Sequence, residues 1–214
     1  MTELLNKPEA RANGVASYRF DNAKRRRPDH HVRQAMLTPG YVLEPLRTLL
    51  GGIGLDPCTE SNNPTGAARF YHLPMDGCRL PWDAETVFCN PPYGEARNRW
   101  VDRCIEVAAA GRKVVLLIPA HTDTKSFQRA MENCTSILFV RARLRFGVLR
   151  ESGRQEAASH GSALIGFNVD LSPLGVLGKT FPGPSLLVQH SQALASRIPD
   201  GSAANLERAI HSGD

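Results

Sequence analysis

The stretch Val87-Phe88-Cys89-Asn90-Pro91-Pro92-Tyr93 decides the fold of this chain of 214 residues. A short apolar run stops at an asparagine followed by two prolines, and prolines cannot continue a central strand. The pattern therefore predicts a buried strand whose carboxyl end carries a polar side chain, a rigid turn and an aromatic ring. In open α/β sheets, ligands bind at that end of the strands.

Outward from this motif, strand-like and helix-like patterns alternate. Strands are predicted at 53–56, 114–118, 137–140 and 163–169, and helices at 96–110 and 122–133. The continuous apolar run at 114–118 is typical of a strand that is covered on both faces. This order predicts an α/β fold with a single, mostly parallel sheet and helices on both faces.

Upstream of the first predicted strand, Thr38-Pro39 has the form of a helix N-cap followed by a first-turn proline. Apolar residues follow at helical spacing as far as Gly51-Gly52. Pro45 interrupts them, so the pattern allows two short helical pieces instead of one helix. Residues 57–82 are rich in Asn, Pro and Gly and are predicted to form long loops.

Length and composition favour one domain, because 42% hydrophobic residues in 214 suffice for one full core. We expect a basic flexible arm over 1–35, the folded domain over 36–170, and a partly ordered or disordered extension over 171–214. Within the extension, 186–188 and 203–210 are candidates for small elements that dock on the core.

The sequence argues against membrane, disulfide and metal proteins. No apolar run approaches the roughly 20 residues of a membrane span, and the N-terminus lacks the apolar core of a secretory signal. The five cysteines are scattered and include no Cys-x-x-Cys pair, so we expect no disulfide framework and no metal site. A cytoplasmic protein with cysteines as small core residues is expected.

The net charge of +5 is concentrated in two segments. One is the arm, which contains Arg25, Arg26 and Arg27. The other is Arg141-Ala142-Arg143-Leu144-Arg145-Phe146, whose alternation predicts a strand with three guanidinium groups on one face. Such a face, with Lys125 nearby, suits the phosphates of a polyanion. The alternative is a solvated tail and an exposed strand kept soluble by charge.

The chemistry of Asn90 to Tyr93 suits an amino group conjugated to a ring, whose delocalised lone pair makes it a poor nucleophile. The Asn90 side-chain carbonyl and the Pro91 backbone carbonyl can accept its two N–H bonds and so localise the lone pair for methyl transfer. Pro92 rigidifies the turn, and the Tyr93 ring can stack on a base extruded from a duplex. The alternative is a plain turn, because Asn and Pro dominate turns.

Several blocks in this order resemble the phage-type Dam-like DNA N-6-adenine methyltransferase family over residues 36–169. The blocks are Leu37-Thr38-Pro39, Leu55-Asp56-Pro57, Phe70-Tyr71, Asp76-Gly77 ahead of Trp82, Val87 to Tyr93, Trp100-Val101, Val115 to Ala120, Thr122-Asp123-Thr124 and Arg143 to Phe146. The resemblance implies a Rossmann-like methyltransferase domain, S-adenosylmethionine as the methyl donor, and adenine N6 in double-stranded DNA as the acceptor. It also implies a bacterial or phage-infected cell.

Carried over by position, the resemblance makes Asn90, Pro91, Pro92 and Tyr93 the catalytic loop. It places Thr38-Pro39 and Asp56-Pro57 at the methionine end of the cofactor, and Asp76 at its adenine with Gly77 beside it. The chain departs from most methyltransferases after Asp56, where Pro57 to Ser61 lacks a Gly-x-Gly turn. Glu60 is then the candidate for the ribose hydroxyls.

Three other functions remain compatible with the motif. One is methylation of a different planar amino group, in protein glutamine or RNA guanine; another is methylation of cytosine N4. The third is a nucleic-acid-binding protein that has lost catalysis. Target specificity is expected from the loops at 57–70 and 147–161 or from the arms, with 147–161 as a mobile loop that orders on DNA. We expect a monomer or weak dimer.

Overall fold

The strand predicted before Asn90 forms part of a seven-stranded sheet in the computed structural model, which describes residues 36–92, 97–148 and 155–185. The strands are β1 (Met36–Leu37), β2 (Leu55–Thr59), β3 (Arg69–His72), β4 (Thr86–Cys89), β5 (Lys113–Pro119), β6 (Ser136–Val140), β7 (Arg145–Val148), β8 (Gln155–Ala157), β9 (Ser162–Phe167) and β10 (Gly178–Pro182). The α-helices are α1 (Gly40–Leu50), α2 (Arg97–Ala109) and α3 (Lys125–Asn133), and a short 3-10 helix spans Ser172–Leu174.

The seven strands lie in the order β10-β6-β9-β5-β4-β2-β3. The pairs β3–β2, β2–β4 and β4–β5 are parallel, whereas β9 is antiparallel to both β5 and β6, and β10 is antiparallel to β6. Five strands therefore run in one direction and two run against them. The predicted α/β class is confirmed, and the sheet is mixed because β9 inserts between β5 and β6.

Helices cover both faces of the sheet, as its central strand demonstrates. Along β5, Val114, Leu116 and Ile118 pack with α2 and α3 on one face. Val115 and Leu117 pack with α1 on the other face. Successive side chains of a strand point to opposite faces, so a run that is apolar at every position needs a cover on each side. Each such burial stabilises the fold by about 1.5–3 kcal/mol.

Helix α1 is a single helix despite Pro45, so the two pieces that the sequence allowed do not form. Proline removes only one hydrogen bond here, the one to the carbonyl of Tyr41 at the start of the helix. Val42, Leu43 and Leu46 are fully buried and hold the helix against the sheet. The helix ends at Gly51, which takes a left-handed conformation with φ of 68°.

The expectation of long loops over 57–82 is wrong in two places. Strand β2 continues through Pro57 to Thr59, with a register irregularity between Asp56 and Thr59, and β3 forms the parallel edge of the sheet beside it. Proline is tolerated in a strand at a bulge. The four residues of β3 are half-buried to exposed, so they carry no clear apolar alternation.

The basic segment at 141–146 is not one strand, which corrects the prediction. Ala142 is exposed and has a φ of 60°, and β7 begins only at Arg145. The alternation survives over its second half, where Leu144 and Phe146 are buried between exposed arginines.

A second, three-stranded sheet has the order β1-β7-β8. Its β7–β8 pair joins Gly147 to Gln155, so part of the predicted loop at 147–161 is a hairpin. Residues 149–154, between the two strands, lie outside the described residues. Strand β1 pairs with β7 and leads directly into Thr38.

The main sheet continues beyond residue 170, since β10 pairs with β6 from Gly178 to Pro182. The arm over 1–35 and the possible elements at 186–188 and 203–210 lie outside the described residues. All five cysteines are free thiols; Cys89, Cys104 and Cys134 are buried, whereas Cys58 and Cys78 are half-buried. Among the described helices, none has the length and apolar character needed to cross a membrane.

Candidate active site

The candidate site lies where the strand order reverses. From β2 the chain moves outward to β3 and then returns to the other side of β2 as β4. The carboxyl ends of β2 and β4 therefore flank a crevice, which is where open α/β sheets bind ligands. A cavity of about 310 Å³ opens there. The predicted residues that line it are Thr38, Asp56, Pro57, Asp76, Gly77, Asn90 and Pro92.

Asn90 follows the last residue of β4, and its orientation is set by Thr38. The Asn90 Nδ2 donates a hydrogen bond to Thr38 Oγ1 at 3.0 Å, and Thr38 is only 8% exposed. Because Nδ2 faces Thr38, the Asn90 Oδ1 is the end of the amide that points away from this hydrogen bond. Thr38 is not the helix N-cap that the sequence predicted: Pro39 holds that position without a side-chain cap. The Thr38 hydroxyl contacts Asn90 instead.

Asp56 is a buried carboxyl at the end of the crevice, 1% exposed. Its Oδ1 accepts a hydrogen bond from the Cys58 backbone N–H at 3.0 Å. Burial raises the pKa of Asp56 to about 6, although this hydrogen bond and those from Thr65 and Thr59 oppose the increase. A buried carboxyl beside a cavity favours a cationic group on the ligand, because that charge stabilises the carboxylate.

Gly77 is required by a close backbone approach. A Cβ atom at this position would lie 1.8 Å from the Pro57 carbonyl oxygen, so only glycine fits. The Gly77 carbonyl accepts a hydrogen bond from Trp82 Nε1 at 2.8 Å. These contacts hold the Asp76-Gly77 turn against the end of β2. The Asp76 carboxylate lies near Arg79 at 3.4 Å and Arg99 at 3.8 Å.

Sequence reasoning missed an apolar rim on this cavity. Leu73 is 71% exposed and Met75 is 47% exposed, and both line the opening. Large exposed apolar side chains at a cavity mark a binding surface. The signal in the sequence was Leu73-Pro74-Met75 immediately before Asp76, inside a segment interpreted as loop. Other lining residues that we did not predict are Leu37, Cys58, Thr59, Pro64, Thr65, Tyr71, His72, Arg99 and Trp100.

Glu60, the candidate for the ribose hydroxyls, also lines the cavity. Burial raises the pKa of Glu60, and the charge of His72 opposes this. The Glu60 carboxyl is therefore close to His72, which lines the same cavity.

The cations that the sequence assigned to phosphates lie at the same edge of the sheet. Arg141 follows the end of β6, Arg143 and Arg145 are exposed beyond it, and Lys125 begins α3 after β5. Among the described residues, the cations in ion pairs are Arg47, Arg69, Arg79, Arg99, Arg103, Lys113 and Arg129. Those without an ion pair in the same part of the chain are Arg97, Arg112, Lys125, Arg141, Arg143, Arg145 and Lys179. Tyr93 and Arg25 to Arg27 lie outside the described residues.

The fold and the site define an α/β domain with a cavity of small-ligand size at the switch point of its sheet. The family model for DNA N-6-adenine-methyltransferase (Dam) matches residues 27–179. The chain belongs to this family, which confirms the resemblance drawn from the motif blocks.

Two known proteins are similar over part of the chain. A DNA N-6-adenine-methyltransferase of Escherichia phage T1 is 27% identical over 114 residues, which are 53% of this chain and 47% of that protein. The match thus spans about half the length of that relative. A solved structure of a SAM-dependent O-methyltransferase from Thermotoga maritima is 11% identical, covering 67% of this chain and 72% of the other, with a TM-score of 0.39.

Proposed function

We propose that this protein transfers a methyl group from S-adenosylmethionine to the N6 amino group of an adenine in double-stranded DNA. One observation carries the proposal: Asn90, oriented by Thr38, stands at the edge of the switch-point cavity in a chain of the Dam family. The Asn90 to Tyr93 motif suits a planar amino acceptor, and the family supports adenine in DNA as that acceptor.

The residues around the cavity fit the proposed cofactor. S-adenosylmethionine carries a cationic amino acid end and a planar purine, and it supplies a methyl group on a sulfonium. The buried Asp56 carboxyl suits the cationic end, and the apolar rim of Leu73 and Met75 suits the purine. Asp76 and Gly77 form a turn beside that rim. A volume of about 310 Å³ lies at the lower end of the range for small-ligand sites.

The chain lacks a Gly-x-Gly turn after Asp56, but the cavity beside this segment is still open. The backbone at Pro57 is instead packed closely by Gly77, which comes from a different segment. The cavity beside this contact supports a cofactor site over the alternative of a nucleic-acid-binding protein that has lost catalysis.

The groups proposed to accept hydrogen bonds from the adenine amino group come directly after β4 in the chain. The Asn90 Oδ1 and the Pro91 carbonyl would accept the two N–H bonds of the adenine amino group and make its nitrogen lone pair available. Pro91 is buried, and the two prolines restrict the backbone of this turn. An adenine must leave the base stack to reach these atoms, and we propose that Tyr93 stacks on it.

The cations without ion pairs support a DNA partner. The exposed residues Arg141, Arg143, Arg145 and Lys125 lie near the edge of the sheet at which Asn90 ends β4. Such residues position a duplex through its phosphates and carry no sequence information. Arg25 to Arg27 of the arm are proposed to add to this contact.

The proposal is tested by comparing methyl transfer to duplex DNA, to RNA and to protein. The full chain is incubated with methyl-labelled S-adenosylmethionine and duplex DNA, RNA or protein, and the nucleic acids are digested to nucleosides. Label in the N6-methyladenine nucleoside supports the proposal. Label confined to 4-methylcytosine, RNA or protein would replace it with another amino acceptor, and failure to bind S-adenosylhomocysteine would refute the cofactor.

A further inference from the structure

Two histidines form a pair on the flank of the site opposite to the cavity. His121 follows β5 and His160 precedes β9, and their rings meet edge to face with centroids 4.9 Å apart. Pro119 at the end of β5 is level with Ser162 at the start of β9, so the pair lies at the carboxyl edge of the sheet. Strand β4 separates β5 from β2, and Asn90 therefore lies between this pair and the cavity.

Two arginines from other elements lie at the same edge of the sheet. Arg143 Nη1 donates a hydrogen bond to the Ala158 carbonyl at 3.2 Å, two residues before His160, and Arg97 is the first residue of α2. Burial lowers the pKa of His160, the charges of His121, Arg143 and Arg97 lower it further, and the contact with the Gly161 carbonyl opposes this. Arg143 is thus joined to the histidine pair through its contact with Ala158, and Arg97 begins the helix that follows the carboxyl end of β4.

Arg97 stands at a position where helices more often carry an acidic side chain. Helix N-termini favour acidic side chains in the first turn because of the helix dipole, yet α2 has none there and begins with Arg97. Within the described part of the chain, neither Arg97 nor Arg143 forms an ion pair. These two arginines therefore carry charge that no described carboxylate offsets through an ion pair, and such charge suits an external anion.

We propose that Arg97, Arg143 and the His121–His160 pair bind a phosphate of the DNA strand that carries the target adenine. The inference rests on the proposed function for the identity of the polyanion. In-line methyl transfer requires the acceptor nitrogen to approach the methyl carbon from the side opposite to the sulfonium sulfur, whose bond to that carbon breaks as the new bond forms. With the cofactor in the cavity on the β2 side, the acceptor's backbone crosses the β5–β9 flank, where these four side chains lie. Guanidinium groups bind phosphate through paired hydrogen bonds.

The test compares the double variant Arg97→Gln/Arg143→Gln with Arg112→Gln in the full chain. Arg112 is a matched control because it also lacks an ion pair among the described residues, but it precedes β5 at the opposite edge of the sheet. Binding to a labelled duplex is measured by fluorescence anisotropy over a range of salt concentrations. Binding of S-adenosylhomocysteine is measured by calorimetry.

For the double variant, we expect the slope of log affinity against log salt to fall by roughly one to two, and affinity to fall about tenfold or more. Cofactor binding and the Arg112→Gln variant should match the parent. Replacing both arginines by lysine should restore most of the slope, which separates a charge effect from misfolding. An unchanged slope in a folded double variant would overturn the proposal. DNA binding through this site without methylation would refute only the proposed function.

The histidines provide a second readout. Phosphate favours protonated imidazole, so DNA binding by the parent should strengthen as the pH falls from about 8 to about 6. The charged groups that act on His160 are Arg97 from α2, Arg143 from the segment before β7, and His121 after β5. His121→Asn/His160→Asn should flatten this dependence. The same pH dependence in the parent and the variant would exclude the histidines from the site.

Discussion

Replacing Asp56 by asparagine should make the ligand-free protein more stable at pH 8 while weakening cofactor binding. The carboxyl is 1% exposed, and burial raises its pKa from 3.8 to about 6. Asparagine keeps the shape and can still accept the hydrogen bond from the Cys58 N–H. It removes the negative charge, which is the part that burial disfavours.

The magnitude follows from the two pKa values of Asp56. Below pH 3.8 the carboxyl is protonated in both the folded and unfolded chains. As the pH rises, the unfolded chain ionises first and the folded chain only near pH 6, so stability is lost across this window. One pKa unit corresponds to about 1.4 kcal/mol, so the cost is about 3 kcal/mol at pH 8 and roughly half of that at pH 5.

Urea unfolding of the parent and Asp56→Asn at pH 5 and pH 8 measures this difference. We expect the variant to be more stable at both values, with the larger gain at pH 8, and its S-adenosylhomocysteine affinity to fall at least about tenfold. Asp83→Asn is the control, and we expect it to lower the free energy of unfolding at pH 8. The hydrogen bond with Arg69 lowers the pKa of Asp83, so the charged form is favoured in the folded chain. An Asp56→Asn variant that is less stable than the parent at pH 8 would refute the reasoning.

Three further predictions address the same site. Thr38→Val removes the hydroxyl that orients Asn90; kcat should fall about tenfold with little change in KM for the cofactor, and an unchanged kcat would exclude this positioning role. Gly77→Ala forces a Cβ to within 1.8 Å of the Pro57 carbonyl, so urea unfolding should show a loss of about 3 kcal/mol and calorimetry no cofactor binding; Gly40→Ala, where the Cβ meets nothing within 4 Å, should be neutral or stabilising. Deleting residues 1–33 should reduce DNA affinity and its salt dependence more than cofactor affinity, whereas equal losses would make the arm structural.

The sequence revealed the elements that are long or strongly apolar. The run ending at Cys89 is β4 as predicted, the face that includes Trp100, Val101 and Cys104 is buried in α2, and the apolar run beginning at Val114 is the core of β5. Strands β4 and β5 are nearly continuous apolar runs, and α2 has apolar residues at helical spacing. Both patterns are visible without any knowledge of distant partners.

The sequence did not reveal elements that depend on distant partners. Strand β1 has two residues and exists because it pairs with β7, more than 100 residues later. Thr38 and Asn90 are 52 residues apart, and only the folded chain brings them to 3.0 Å. The left-handed Ala142 interrupts an alternation that otherwise indicates a strand. In each case tertiary contacts override the local pattern.

The central claim is that Asn90 activates the amino group of the acceptor, and single-turnover methyl transfer by Asn90→Ala tests it most directly. With saturating S-adenosylmethionine and duplex DNA, the rate constant should fall about 100- to 1,000-fold. The affinities for S-adenosylhomocysteine and DNA should stay within about threefold of the parent, as should those of the control Asn98→Ala on the exposed side of α2. A parental rate constant in a folded Asn90→Ala protein would contradict the account.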